Sequence, residues 1–142
     1  MKDVETCKKK KIIVDDEKDI DRAKNLLKKA ELRKEFWSKS YDKKYDFLAV
    51  EGYYEIIKEL LTALINLEGL KSSNHECLIG FFNENFKEYA YEAEMIDTLR
   101  KVRNTIDYRG VYSNETYLKN NKLEFKHIIK LLEKLVKKKL KE

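Results

Sequence analysis

The segment from residue 42 to residue 69 constrains the fold more than any other part of the chain. Its apolar residues recur at three- and four-residue spacings in two adjacent stripes, which is the period of an α-helix. A face this wide has to contact two neighbouring helices at once, so the segment predicts a long central helix within a bundle. The stripes are Phe47, Val50, Tyr54, Ile57, Leu61 and Leu64, and beside them Tyr53, Ile56, Leu60, Ala63 and Leu67.

The remainder of the chain has the same helical character. The 142 residues include no proline and only 4 glycines, too few turn residues for a β-sandwich or barrel. This length suits one domain with a single core. We predict an all-α, up-and-down bundle of four or five helices, because short connections favour antiparallel neighbours. The predicted helices cover residues 17–38, 42–69, 75–88, 91–108, and a last segment that begins at 115 or 121 and ends near 138.

Residues 1–16 show no helical period. They contain a lysine run at 8–11, a short apolar patch at 12–14 and then two aspartates. We therefore predict a flexible basic arm over residues 1–16, followed by a single bundle domain over residues 17–142. A second lysine run lies at 137–141, and the formal net charge of the chain is +5. Such runs are either solvated tails or contacts to nucleic acid, and both give a weak, salt-sensitive attraction to polyanions.

Several classes of site find no support in the sequence. Cys7 and Cys77 are too few for a disulfide framework or a four-cysteine zinc site, and there is no phosphate-binding glycine loop. We expect neither a metal nor a cofactor. No apolar run approaches the length of a membrane span, and the first residues do not resemble a signal peptide. We expect a reduced, cytoplasmic protein without a membrane partner.

Arg103 occupies an unusual place for a charged residue. It lies one heptad after Ile96 and four residues after Leu99, which places it on the apolar face of its helix. A guanidinium on such a face needs a partner or an exposed cleft. Two interpretations stay open: a local ion pair with Asp107, or an arginine held in a groove to bind phosphate or a ribose edge.

Aromatic and basic residues accompany Arg103 around the loop predicted at residues 109–114. They would either line a surface on which nucleic-acid bases stack, or cover the end of the bundle or a dimer interface. The set is Arg100, Arg103, Arg109, Tyr108, Tyr112 and Tyr117.

Three features together resemble the HEPN family, a superfamily of small helical bundles. The first is the long amphipathic helix with Tyr53 and Tyr54. The second is the polar break at 69–74, followed by His75 and an apolar helix start. The third is Arg103-Asn104 with Tyr108 and Gly110. The resemblance covers about residues 17–138.

The resemblance implies an activity and partners. Nuclease members of the family cleave RNA without a metal, using an arginine, a polar neighbour and a histidine about one helical turn further on. Two protomers pair so that these signatures face each other. Other members accompany nucleotidyltransferases, often in toxin–antitoxin modules, and a few bind nucleotides.

The signature matches this chain in part. Arg103 and Asn104 match its first half, whereas the histidine window holds Tyr108, Arg109 and Gly110. Tyr108 has an ordinary pKa of about 10, which makes it a poor base at neutral pH, although it can donate a hydrogen bond or stack. His75 matches another family position, with either a structural or a catalytic role.

The expected function is binding of RNA or a nucleotide in a cleft around Arg103 and Asn104, by a homodimer that acts with a nucleotidyltransferase. Arg103, Asn104 and Tyr108 are the candidate catalytic residues. The candidate binding residues are Arg100, Arg103, Arg109 and Tyr112, and His75 and Asp107 are structural candidates. A metal-independent ribonuclease that lacks the signature histidine, or a purely structural bundle, are the alternatives.

Overall fold

The computed structural model describes the backbone of residues 1–109 and 115–142, and the side chains of residues 1–106 and 116–142. These residues form a helical bundle with one small antiparallel sheet. The helices are α1 (Val4–Lys9), α2 (Ile20–Trp37), α3 (Asp46–Leu67), α4 (His75–Asn85), α5 (Ala90–Arg109) and α6 (Glu115–Leu140). The strands are β1 (Ile13–Asp15) and β2 (Leu70–Ser72). Short 3₁₀ turns occupy Lys43–Tyr45 and Lys87–Tyr89.

The prediction of an all-α bundle is confirmed. The five predicted helices correspond to α2 through α6, and α6 begins at Glu115, the earlier of its two predicted starts. Within the described residues, no helix combines the length and the apolar composition that crossing a bilayer requires.

The central helix α3 contacts α2, α4, α5 and α6. Tyr54, Ile57, Leu61 and Leu64 on its first stripe are each at most 2% exposed. The sequence predicts two neighbours for this helix, and the structure gives it four, because apolar residues also lie outside the two stripes. Burial of this kind stabilises a fold by roughly 1.5–3 kcal/mol for each large side chain.

Ion pairs orient α2 against α3 and α6. Nε of Arg33 lies 2.9 Å from Oε1 of Glu59, and Nζ of Lys29 lies 3.6 Å from the same oxygen. Nζ of Lys34 lies 2.8 Å from Oε1 of Glu133. Glu59 and Glu133 are both buried. Since a buried carboxylate without a partner is strongly destabilising, these pairs favour one orientation of α2.

The N-terminal segment packs onto the bundle, so the prediction of a flexible arm over residues 1–16 is corrected. Strand β1 pairs with β2, with Ile13 opposite Ser72, and Ile13 is only 2% exposed. The backbone N–H of Lys2 donates a hydrogen bond of 3.2 Å to the carbonyl of Glu76. The reason for the error is that a three-residue strand and a six-residue helix are too short to display a hydrophobic period.

A disulfide joins Cys7 of α1 to Cys77 of α4, with 5.9 Å between their Cα atoms, whereas we expected both cysteines to be reduced. Both residues are fully buried. Beside them, a Cβ at Gly80 would overlap the backbone carbonyl of Lys2. The missing side chain at Gly80 therefore lets the N-terminal backbone lie directly on α4, next to the disulfide.

Candidate functional site

Tyr54 lies at the centre of a polar cluster where α3 meets α4 and α5. The guanidinium carbon of Arg103 is 5.6 Å from the centroid of its ring, and the ring of His75 is 5.6 Å from the same centroid. Glu55 lies 2.6 Å from Nζ of Lys58 and 3.9 Å from Nη2 of Arg103. We name Tyr54, Glu55, Lys58, His75 and Arg103 the Tyr54 cluster.

Regular helix geometry places each member of the cluster. Tyr54 and Lys58 lie one turn apart on α3. His75 is the first residue of α4, whose start is fixed by Asn74, since the Asn74 side chain accepts a hydrogen bond of 2.9 Å from the N–H of Cys77. Arg103 follows the fully buried Leu99 by one turn on α5. The predicted position of Arg103 on the apolar side of α5 is thus the position that directs it at Tyr54.

The surroundings of His75 favour its neutral form. Burial lowers the pKa of His75 below its ordinary value of 6.5, and the positive charges of Lys58 and Arg103 lower it further. The carboxylate of Glu55 acts in the opposite direction and is outweighed. At neutral pH the imidazole is therefore uncharged, with one nitrogen that donates a hydrogen bond and one that accepts.

Arg103 is both supported and accessible. Its side chain is 23% exposed, and a guanidinium beside an aromatic ring is stabilised by the negative face of the ring. Burial raises the pKa of the Tyr54 hydroxyl well above 10, so this ring carries no charge. A planar guanidinium held in this way can present its N–H groups to a phosphate. The predicted pair of Arg103 with Asp107 lies outside the described side chains.

Arg100, a candidate binding residue from the sequence, is paired with carboxylates in the structure. Its Nε lies 3.0 Å from Oδ1 of Asp97, its Nη1 lies 3.9 Å from Glu76, and its side chain is only 11% exposed. Burial by itself raises the pKa of Asp97, but hydrogen bonds from the Met1 amino group and from Arg100 outweigh that effect, and the pKa is lowered. Arg100 thus joins α5 to the start of α4 as a structural partner of these carboxylates.

The other predicted site residues divide into two groups. Asn104 is half-buried on α5, directly after Arg103. The side chains of Asp107, Tyr108, Arg109 and Tyr112, together with Gly110, lie outside the described residues.

Tyr117 packs inward rather than lining an open stacking surface. Its ring lies 5.8 Å from the ring of Phe125, which in turn lies 5.9 Å from the ring of Tyr53. Burial raises the pKa of Tyr117 to about 12. Of the two interpretations offered by the sequence, Tyr117 therefore fits the one in which the tyrosine covers the bundle.

Sequence reasoning did not identify Glu55 and Lys58 as site residues, nor the proximity of His75 to Arg103. The sequence gives only a partial indication of Glu55 and Lys58 as neighbours of Tyr54: Glu55 follows Tyr54 directly, and Lys58 follows it by one helical turn. The meeting of α4 and α5 at Tyr54 depends on tertiary packing. Within the described residues, no group of three or more histidine, cysteine or carboxylate side chains is placed to hold a metal ion.

Comparison of the chain with protein-family models, with curated proteins and with solved structures finds no match.

Proposed function

We propose that this protein binds RNA or a nucleotide through the Tyr54 cluster, with Arg103 contacting a phosphate. The observation that carries the proposal is the placement of Arg103 and His75 against the same aromatic ring. Two groups that suit a phosphodiester, a guanidinium fork and a neutral imidazole, are thereby brought together from α5 and α4.

The local charges support an anionic ligand. Arg103 and Lys58 carry positive charge beside a histidine that burial keeps neutral, and Glu55 is the carboxylate of the cluster. The short contact of Glu55 is to Lys58, at 2.6 Å, whereas its distance to Arg103 is 3.9 Å. A phosphate can approach Arg103 without disrupting the closer pair. An incoming anion would also make protonation of His75 easier.

The competing hypothesis is that Arg103 serves only to hold α5 against α3. A structural arginine and a binding arginine differ in what their loss does. Loss of a structural arginine lowers the melting temperature, because Glu55 and Tyr54 lose a partner on a partly buried surface. Loss of a binding arginine weakens the complex and leaves the melting temperature nearly unchanged.

Fluorescence anisotropy with a labelled oligouridylate of about 12 nucleotides at low ionic strength tests the proposal. We expect Arg103→Ala to weaken binding about tenfold or more, and Arg103→Lys to lose most of the affinity, since lysine lacks the planar fork. Arg22→Ala, at an exposed arginine of α2, is the matched control for the loss of one charge. Equal affinities of Arg103→Ala and Arg22→Ala would refute the proposal.

One observation favours a second candidate function, metal-independent cleavage of RNA. Although the histidine of the HEPN signature is absent from the expected window, His75 contacts the same Tyr54 ring as Arg103 and is neutral at pH 7. A neutral imidazole can accept the proton of a 2′-hydroxyl as that oxygen attacks the adjacent phosphorus, and the 5′-oxygen then leaves with a proton from solvent or a second group. Cleavage in the presence of EDTA that is lost in His75→Gln and retained in His127→Gln would support it.

Partners remain proposals that depend on the HEPN resemblance. It implies a two-fold homodimer with the Arg103 regions near each other, and a nucleotidyltransferase partner in a toxin–antitoxin-like module. A two-fold dimer would place two Tyr54 clusters along one RNA strand, which would raise the affinity without new contacts.

A further inference from the structure

A concave aromatic surface lies where the end of α2 meets the start of α3, and none of its residues belongs to the Tyr54 cluster. Phe36 is 62% exposed, Tyr45 is 42% exposed and Leu48 is 38% exposed, and they line the concavity together with Trp37 and Tyr41. We name these five residues the Trp37 surface. Exposed apolar side chains grouped in one place mark an interaction site more often than scattered ones do.

The rings of the Trp37 surface are held in a defined arrangement. Phe36 and Trp37 meet edge to face, with centroids 5.1 Å apart and planes at 89°, and Trp37 and Tyr41 do the same at 5.5 Å and 88°. A Cβ at Gly52 of α3 would overlap Nε1 of Trp37. The indole therefore lies directly on the α3 backbone, and it contacts both Phe36 and Tyr41 edge to face.

Lysines surround these rings. The ammonium of Lys44 lies 5.1 Å from the centroid of Tyr45, and that of Lys122 lies 5.3 Å from the centroid of Tyr41. The adjoining concavity, which also contains Tyr41, is lined by further lysines from the α2–α3 connection and from the start of α6, and by one carboxylate, that of Asp46. The lysines around the rings are Lys39, Lys43, Lys44, Lys119 and Lys122. In residues 1–106 and 116–142, none of these five lysines takes part in an ion pair.

We propose that the Trp37 surface binds single-stranded nucleic acid. Bases stack on the exposed rings of Phe36 and Tyr45, and the backbone phosphates follow the lysines. Stacking on aromatic side chains within a positively charged groove is the general means by which proteins hold single strands without reading their sequence. The proposal uses residues separate from the Tyr54 cluster and does not depend on it.

The charges favour this ligand over a second copy of the chain. In a two-fold interface the same patch is used twice, so a patch that carries five lysines would face another such patch, and like charges brought together at an interface are strongly unfavourable. The composition also argues against a lipid surface, because Leu48 is the one aliphatic residue among the described residues that line the concavity. A partner that supplies both planar apolar rings and negative charge fits these residues best.

The fluorescence of Trp37 gives a direct measurement, because it is the only tryptophan of the chain. Titration of the wild-type protein with unlabelled oligouridylate should quench the Trp37 emission in a saturable manner. Arg103→Ala should retain this quenching, so that failure of one proposal is distinguishable from failure of the other. Binding without quenching, or the absence of any binding, would overturn the assignment of this surface.

Paired substitutions identify the stacking contribution. We expect Phe36→Ala combined with Tyr45→Ala to reduce the affinity of the Arg103→Ala protein, in which the Tyr54 cluster contributes little, at least tenfold. The matched control is Tyr91→Ala, which removes an aromatic ring that is 62% exposed elsewhere on the molecule. Equal affinities of the double variant and Tyr91→Ala would overturn the proposal. The proposal would also be overturned if the wild type were a dimer and the double variant a monomer with unchanged RNA affinity, because the surface would then be a subunit interface.

Charge reversal tests the role of the lysines. Lys39→Glu combined with Lys43→Glu should weaken binding and reduce its dependence on salt concentration, because fewer counterions are released. Lys137→Glu combined with Lys138→Glu makes the same change in net charge at the far end of α6. Equal effects of the two pairs would show that binding follows net charge alone and would contradict the proposal, as would equal affinity for a double-stranded RNA of the same length.

Discussion

The guanidinium of Arg103 lies over the ring of Tyr54, with 5.6 Å between the guanidinium carbon and the ring centroid. This contact joins α5 to α3 at the point where His75 begins α4. A charged residue that would be unfavourable on an apolar helix face thus has an aromatic partner and remains 23% exposed. The imidazole of His75 contacts the same ring, with 5.6 Å between the two ring centroids.

The first prediction concerns the pH dependence of stability. Because the pKa of folded His75 is lowered below 6.5, the unfolded chain binds a proton at this residue more readily than the folded chain does. The stability that His75 contributes is present above pH 6.5 and is lost as the pH falls through the lower, folded pKa. His75→Gln should make the urea midpoint less sensitive to pH between about 6.5 and 5, a range above the ordinary carboxylate pKa values.

His127→Gln is the control for this measurement, since it removes the other histidine, which is exposed on α6. It should retain the wild-type pH dependence. A His75→Gln variant whose midpoint varies with pH as the wild type does would show that the surroundings of His75 are not those described.

The second prediction concerns the disulfide. Cys7 and Cys77 are separated by 70 residues, and a cross-link over a long separation removes much of the entropy of the unfolded chain. Replacement of both by alanine should lower the free energy of unfolding by about 2–5 kcal/mol. Dithiothreitol should lower the urea midpoint of the wild type and leave that of the double variant unchanged. Identical midpoints of wild-type protein with and without reductant would contradict the bond.

The third prediction concerns the central helix. Leu61 and Leu64 are 2% and 1% exposed, so truncation of either to alanine removes core contacts and leaves a cavity. Each variant should lose about 2–5 kcal/mol of stability in urea unfolding. Leu123→Ala removes the same atoms from a side chain that is 81% exposed and should change stability by less than about 0.5 kcal/mol. Comparable losses in all three variants would show that α3 is not the core of the fold.

The sequence predicted the elements that display long periodicity. The two stripes of α3 are a local signal, and they appear in the structure. The docking of residues 1–16 could not be predicted, because it depends on the pairing of Ile13 with Ser72 and on the close approach of Lys2 to Gly80. Those contacts join residues far apart in the sequence, and no local pattern encodes them.

The candidate site was predictable to a similar extent. Helical spacing placed Arg103 on the apolar side of its helix, which local geometry suffices to show. The contact of His75 with Tyr54 requires the packing of α4 on α3, and the exposed rings of the Trp37 surface require the path of the chain between α2 and α3. Both depend on relations between helices, which a single sequence does not specify.

The fourth prediction concerns assembly. The HEPN resemblance motivates a two-fold dimer that brings the Arg103 regions together, and sedimentation equilibrium at micromolar concentration measures its mass. We expect a dimer that persists in Phe36→Ala combined with Tyr45→Ala, because the Trp37 surface is assigned to nucleic acid. A monomer at all accessible concentrations would remove the pairing of two clusters from the account.

The most direct test of the Tyr54 cluster is a proton NMR titration of the two histidine rings with oligouridylate, assigned with His127→Gln. The central claim predicts that the His75 ring resonance shifts on binding and that the pKa of His75 rises, because the ligand phosphate offsets the positive charges of Lys58 and Arg103. The His127 resonance should move little. Saturable binding that leaves the resonance and the pKa of His75 unchanged would contradict the account.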